Sequence, residues 1–429
     1  MKRRILWKKL LFFVFVLLFM SGCSDIFDDT WEGYNNKNII KQPSLSENEA
    51  GNTLDMESAN TNTVSCEIPP IELGEESALL HKEAQNGRYC YEVLSADEQL
   101  WYEDIYAILE GMCTDVVLSK EGIDTIGEQG IDKIFQCVMN DHPELFYVGG
   151  YSYTLKTLGN VLVDITFSGT YTLDSAQRDY RQKQIDEVVA ECLSHISMDA
   201  SDYAKVKYVY EYLVSNTEYN QNAPDNQNIY SVFIGKQSVC QGYAKATQYL
   251  LNELGIKCTL VIGNVIGVRD EGHAWNLVQV EGQYYYVDTT WGDPSYQTTE
   301  SEQVSMASLP EITYDYLCVT TKELEKTHET NNVVPLPTCV ATNANYYVME
   351  GAYFTAYEEN AVTAFFEKGY DENKTDVTLK CADRNVYDTF YEQLITKQKI
   401  FQFLNSLDGV VAYAENPDKL SLTFWLVNE

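Results

Sequence analysis

Histidine is scarce in this chain: five in 429 residues, at positions 81, 142, 195, 273 and 328. Cations are scarce too, since 30 lysines and arginines face 64 aspartates and glutamates, for a formal net charge of −34. That balance excludes the basic stripes nucleic-acid binding needs and favours a soluble surface that repels its own copies. The sequence has no HExxH, no CxxC pair and no zinc-finger rhythm, so no metal or other cofactor is expected. No internal repeat is present. No apolar run reaches the roughly 20 residues that a membrane-spanning helix needs. Hydrophobic residues at 45% and charged residues at 22% are ordinary for a globular protein. The length suits two or three domains, each with its own core.

What is present begins at the N-terminus. Lys2, Arg3, Arg4, Lys8 and Lys9 precede an apolar run, Leu10 to Met20, that is short enough for a signal peptide. The run ends "FMSGC", with the small residues Ser21 and Gly22 before Cys23. This ending resembles a bacterial lipobox, although methionine stands where leucine is preferred. The resemblance implies a lipoprotein leader over 1–22, acylation of Cys23 and an extracytoplasmic, lipid-anchored protein. Residues 23–75 are rich in Asn, Ser, Thr and Glu with little apolar periodicity, and are read as a flexible polar tether.

Order is expected from about residue 76, and 76–198 reads as a mixed α/β domain. "SADEQLWYEDIYAILEGM" opens with a capping box, Ser95 and Glu98, and sets Trp101, Ile105, Ile108, Leu109 and Met112 on one helical face. A second helix near 131–139 stops before Pro143. Two alternating runs flank Gly159-Asn160 as a hairpin, and 174–196 returns to helix. Residues 301–339 read as a linker and 340–429 as a C-terminal α/β domain. In that domain "NYYVM", "DVTLKC", "VVAYA" and "LSLTFWLV" read as strands. Cys113, Cys137 and Cys192 fall among apolar residues of helices and read as small core residues.

The chemistry concentrates in residues 199–300. An amphipathic helix from Ser201 leads to "GKQSVCQGYAKATQYLLNELGI". There Tyr243, Thr247, Leu250, Leu251 and Leu254 recur at helical spacing, and Gly255 is placed to end the helix. Cys240 therefore sits at a helix mouth, where unpaired N–H groups and the macrodipole favour a thiolate. Thirty-three residues on comes "GHAWNLVQVEGQYYYVDTTWGDP", a hairpin turning at Glu281-Gly282. That turn sets Val280 opposite Gln283, Trp275 opposite Asp288 and His273 opposite Thr290. His273 and Asp288 then share a face as diagonal neighbours, within reach of a hydrogen bond that orients the imidazole. A slip of one residue would separate them. The other four histidines read as surface or capping residues.

The stretches "SVCQGYAKA", "GHAWNLV" and "YYYVDTTWGDP" resemble the transglutaminase-like domain of bacterial surface proteins, and "YEYLVSNTEYN" is similar to its lead-in helix. The flanks resemble, more vaguely, extra domains of clostridial members. The resemblance implies an α+β fold with a papain-like core, in which a helix carrying the cysteine packs on an antiparallel sheet carrying the histidine and aspartate. Two smaller mixed α/β domains would flank it. It further implies Cys240 as nucleophile, His273 as general base and acid, and Asp288 as the residue that orients His273. The backbone N–H of Cys240 would serve the oxyanion, with Tyr230 and Trp275 as supporting residues. A thioester acyl-enzyme would form on a protein or peptide substrate at the cell surface or wall. Hydrolysis is expected over transfer to an amine. A cross-linking transglutaminase and a non-catalytic binding scaffold on the same fold remain as alternatives.

Overall fold

The computed structural model describes residues 7–8, 85, 87–158, 161–267, 272–293, 310–404 and 411–426. Cys23 and the tether lie outside the described residues. Of the leader only Trp7–Lys8 is described, as a short strand (β1) pairing with Lys156 and Leu155.

The N-terminal unit follows its local signals. After a short helix α1 (Tyr89–Val93), α2 (Ala96–Glu110) starts from Ser95, whose hydroxyl accepts from the Glu98 amide while the Glu98 carboxylate accepts from the Ser95 amide. Its inward face buries Trp101, Tyr102, Ile105, Ile108 and Leu109. Burial of side chains this large stabilises by roughly 1.5–3 kcal/mol each. Next come β2 (Val116–Val117) and α3 (Gly130–Asp141), which ends just ahead of Pro143. The hairpin β3 (Val148–Leu158) and β4 (Val161–Tyr171) and the long α4 (Ser175–Leu193) complete the unit.

The central unit opens with α5 (Asp202–Asn216), capped by Ser201, and a short parallel pair, β5 (Glu218–Tyr219) and β6 (Gln237–Ser238). Then follow α6 (Cys240–Glu253), β7 (Cys258–Val265), β8 (Gly272–Val280) and β9 (Gln283–Val287). Gly255, at φ +76°, ends α6 as its position foretold. The β8–β9 ladder has the expected register from Val280↔Gln283 to Asn276↔Val287, but it ends there: the expected pairs Trp275–Asp288 and His273–Thr290 do not form, because the chain turns into a 3-10 helix at Thr290–Gly292. Glu281 and Gly282 both take positive φ, 48° and 76°, as a tight primed hairpin turn demands.

The segment 301–339 is where the structure departs most from the sequence reading. Its described part, 310–339, is no linker: β10 (Leu317–Val319), α7 (Thr321–Leu324) and β11 (His328–Thr330) build onto the central sheet. The antiparallel order is β10-β9-β8-β7-β11, so this segment supplies both edges. Strands of three residues carry too little periodicity to be read locally.

In the C-terminal unit "NYYVM" is also corrected. It forms α8 (Tyr346–Met349), because the Asn345 side chain accepts from the Tyr347 amide and starts a helical turn. The rest is β11's successor β12 (Tyr353–Phe354), α9 (Glu359–Asp371), β13 (Asp376–Cys381), α10 (Arg384–Tyr391), β14 (Tyr413–Asn416) and β15 (Ser421–Trp425).

The units do not keep separate cores. One cluster of buried apolar residues runs from Cys90 through Leu251 and Val287 to Phe424. Polar clamps reinforce it. The buried Asp141 carboxylate accepts from the Cys90 and Tyr91 amides (3.2 and 3.0 Å), the Tyr102 hydroxyl (3.0 Å) and the Thr259 hydroxyl of β7 (3.2 Å). On the other side, the Asp315 carboxylate, 9% exposed, pairs with Lys419 at 2.9 Å and accepts from the Tyr347 hydroxyl at 2.9 Å. Carboxylates satisfied this fully fix how the flanks seat on the centre.

Candidate active site

Cys240 is the first residue of α6, following Val239 in extended backbone with no side chain capping the helix. Its first-turn amides and the positive end of the dipole favour an anion there. The first turn is closely supported. Ser238 donates to the Asn226 carbonyl at 2.6 Å, its hydroxyl lies 2.7 Å from that of Ser231, and a Cβ on Gly242 would stand 1.9 Å from that same oxygen. Only glycine admits Ser238 so near the helix. The thiol residue is buried, 5% exposed, and packs with Ala244, Leu260 and Ala274. Ala274 follows His273 in β8, so the helix mouth lies against the strand that carries the histidine. Asn276 pins the two elements together by donating to the Ala244 carbonyl at 2.9 Å.

The expected pair forms. His273 Nε2 lies 2.8 Å from Asp288 Oδ2, with both side chains inaccessible. The ladder stops at Asn276↔Val287, and Asp288 is held just beyond it by its amide donating to the Tyr316 carbonyl at 3.1 Å. The second carboxylate oxygen, Oδ1, accepts from the Trp291 amide at 3.2 Å. Trp275, two residues along β8, is fully buried and stacks on the His273 ring at 5.7 Å between centroids. It supports the imidazole by packing.

A second histidine shares the carboxylate. His328 Nε2, on the edge strand β11, lies 3.1 Å from the same Oδ2, again with no exposure of either side chain. Reading His328 as a surface or capping residue is therefore corrected. Local sequence held no signal for it, because β11 is three residues long and reaches Asp288 only when the sheet assembles. Thr327 Oγ1 stands 2.8 Å from His328 Nδ1 and 2.8 Å from the Tyr316 hydroxyl. Trp291, Trp275 and Tyr316 surround the ring at 4.6, 4.9 and 5.2 Å.

The electrostatics follow from this arrangement. Burial by itself would raise the Asp288 carboxyl, but the two imidazoles outweigh it and hold the group well below the usual carboxylate range. His328 is lowered, chiefly by burial, which its bond to Asp288 only partly offsets. Burial thus favours the uncharged form of His328, whose Nε2 lies within hydrogen-bond reach of the carboxylate. His273, Asp288 and His328 are also the group among the described residues whose metal-binding atoms gather within 4.8 Å. Two hydrogen bonds to one oxygen already account for that gathering.

Tyr230 is committed elsewhere. Its hydroxyl donates to Gln184 Oε1 at 2.9 Å, Arg181 lies over its ring at 4.4 Å, and Phe146 stacks on it. These contacts hold the hydroxyl on Gln184, and none of them joins Tyr230 to Cys240. Nine cysteines lie among the described residues, all buried, and no disulfide joins any of them.

Residues 192–289 match the core model of the transglutaminase-like superfamily. Over 132 residues the chain is 25% identical to the kyphoscoliosis peptidase of Mus musculus, covering 28% of this chain and 20% of that protein. It is 24% identical to the Homo sapiens kyphoscoliosis peptidase over the same length and shares. The chain thus spans about a fifth of the length of these curated relatives. A solved structure described as a TGase is similar at 14% identity and a TM-score of 0.25, covering 37% of this chain and 50% of that one. His328 lies outside the matched span. Within that span, from the end of α4 to the residue after Asp288, the chain carries a transglutaminase-like domain.

Proposed function

We propose that this protein is a thiol acyl-transfer enzyme with Cys240 as nucleophile, and that it hydrolyses amide bonds of a protein or peptide substrate. The observation that carries the reading is the buried His273–Asp288 hydrogen bond on the sheet against which the Cys240 helix packs. Asp288 takes the Nε2 edge of His273, which leaves proton exchange with the thiol to Nδ1. Cys240 Sγ, as thiolate, attacks the substrate carbonyl carbon, and the Cys240 amide donates to the developing oxyanion. The His273 imidazolium gives its proton to the leaving amine, so the C–N bond breaks as a thioester remains on Cys240. Neutral His273 then takes a proton from water, the hydroxide attacks the thioester, and the acid leaves with the thiol restored. Asp288 keeps the ring oriented and balances its charge during both steps. No step calls for a metal or cofactor.

Amine transfer requires a water-poor pocket that holds the acceptor in line with the thioester. The chain from Cys240 to Asp288 is spent on α6, β7, β8 and β9, which favours water as acceptor. In the same reading the domain works outside the membrane, tethered through a lipidated Cys23.

The test is to trap the acyl group on Cys240 from a cell-surface extract and identify it by mass. A large excess of labelled primary amine is then added to the turnover reaction. Free acid or cleaved peptide should form faster than labelled adduct. Faster adduct formation would make the protein a cross-linking enzyme, and no adduct on Cys240 under any condition would make it a binding scaffold.

A further inference from the structure

We propose that His328 is a second positioning residue, which fixes Asp288 and tempers its charge on behalf of His273. The inference rests on the reading of Cys240 and His273 given above. Its basis is geometric: two imidazole Nε2 atoms, from β8 and from the edge strand β11, converge on one oxygen of a wholly buried carboxylate, at 2.8 and 3.1 Å. The tautomers follow from the donors present. Asp288 is ionised and only accepts, so each Nε2 carries a proton toward it. With its proton on Nε2, His328 presents Nδ1 as an acceptor, and we assign the Thr327 hydroxyl at 2.8 Å as its donor in preference to the longer 3.4 Å contact of that hydroxyl with the Leu324 carbonyl. With the Thr327 proton so assigned, the Tyr316 hydroxyl, 2.8 Å away, is the donor to Thr327 Oγ1. A directed chain therefore runs from Tyr316 through Thr327 and His328 to Asp288 Oδ2, and it ends on the oxygen that orients His273.

Two consequences follow. Oδ2 is held between two rings and cannot rotate away from His273, while Oδ1 is held by the Trp291 amide at 3.2 Å. In addition, the charge on Asp288 is shared between two donors, so His273 experiences less of it than it would alone. His328 thereby keeps the His273 imidazolium acidic enough to release its proton to a leaving amine. The charged and titratable groups around His328 are Asp288 beyond β9, His273 on β8, Tyr316 before β10, and Lys419 from the C-terminal unit, whose ammonium lies 5.0 Å over the Tyr316 ring. Lys419 pairs with Asp315 at 2.9 Å and so adds little net charge.

A role in packing alone is the competing explanation, since His328 sits among Trp275, Trp291 and Tyr316. Two substitutions separate the roles. His328→Phe keeps an aromatic ring and removes the donor; His328→Gln loses the ring but can place an amide N–H near Nε2. For a donor to a carboxylate, His328→Phe should lose about 10- to 100-fold in kcat with little change in KM, the range expected of a hydrogen bond to a charged group. Its alkaline limb of kcat/KM should move to higher pH, because His273 then faces an undivided charge. His328→Gln should restore most of kcat and the wild-type limb. Thr327→Val, which spares the ring, should cause a smaller loss in the same direction and keeps the test alive if the Phe variant fails to fold. Iodoacetamide alkylation of Cys240 across pH gives a substrate-independent readout of the same ordering. Full activity in His328→Phe with a weak His328→Gln would overturn the proposal in favour of packing. So would one equivalent of bound metal in the wild type that His328→Gln lacks, since both Nε2 atoms would then be ligands. If wild-type Cys240 reacts no faster than an ordinary thiol and Asp288→Asn changes nothing, the parent reading has failed instead.

Discussion

Replacing Asp288 by asparagine swaps one oxygen of a buried, fully engaged carboxylate for an NH₂ group, and the neighbours determine the cost. In the wild type Oδ2 accepts from His273 and His328 at 2.8 and 3.1 Å, and Oδ1 accepts from the Trp291 amide at 3.2 Å. If the amide nitrogen takes the Oδ2 position, it faces two ring N–H groups. Both imidazoles must then shift their protons to Nδ1, which puts a proton on the His273 nitrogen that the proposed mechanism uses to receive one from the thiol. If it takes the Oδ1 position, it faces the Trp291 N–H, donor against donor, and His273 keeps a neutral acceptor in place of an anion. Either way the imidazolium loses its counter-charge inside a site with no exposure to water. Hydrogen bonds to charged groups are worth about 1.5–3 kcal/mol each, and carboxylate-to-amide exchange in a catalytic triad of the kind proposed lowers turnover by about 10⁴. Asp288→Asn should therefore fold, because the swap is isosteric, yet lose at least about 100-fold in turnover. Single-turnover release of product from a peptide or glutamine substrate measures this, with circular dichroism to verify folding. A folded variant with wild-type turnover would refute the role of Asp288, and with it the buried pair as the working part of the site.

Further outcomes are expected. Among the cysteines of the native protein, Cys240 should be alkylated first by iodoacetamide at about pH 6, because it joins a helix mouth to a histidine, whereas desolvation pushes up the thiols of Cys258, Cys318, Cys339 and Cys381. Peptide mapping of the modified protein decides it, and reaction no faster than an exposed model thiol counts against an activated nucleophile. Cells fed a labelled fatty acid should mark the wild type but not Cys23→Ala, and an unlabelled, freely secreted wild type would exclude the anchor. Stability should fall on acidification. Asp288 is held below its unfolded value near 3.9 and His328 below its unfolded value near 6.5, so the unfolded chain binds more protons at each site. Stability from His328 is complete above about pH 6.5 and is lost as pH falls toward its lower folded value, with the Asp288 contribution lost at more acid pH. Urea midpoints from pH 8 to 5 should decline, and decline less in His328→Gln. Equal slopes in the two proteins would show that His328 titrates alike when folded and unfolded.

Much of the site was written in short-range chemistry. The α6 helix, its start at Cys240 and its end at Gly255 follow from spacing over one stretch of chain, as does the capping box on α2. The β8–β9 register is equally local. A two-residue turn that needs positive φ at Glu281 and Gly282 fixes which residues face each other, and a period of two fixes which side they take. His273 and Asp288 were thus paired before any fold was known. Chain folding decided the remainder. His328 joins the site from an edge strand of three residues, whose pairing with β7 is stabilised only by a sheet already assembled. Residues 317–319 and 328–330, within a run that reads as a linker, form both edges of that sheet, and "NYYVM" forms a helical turn because one asparagine side chain caps it. Tyr230 was drawn to Gln184 and Arg181 by contacts 46 and 49 residues distant in the chain, which local spacing does not encode. Local sequence sets φ, ψ and side-chain alternation. Which carboxylate a distant imidazole meets depends on the long-range burial that closes the sheet around it.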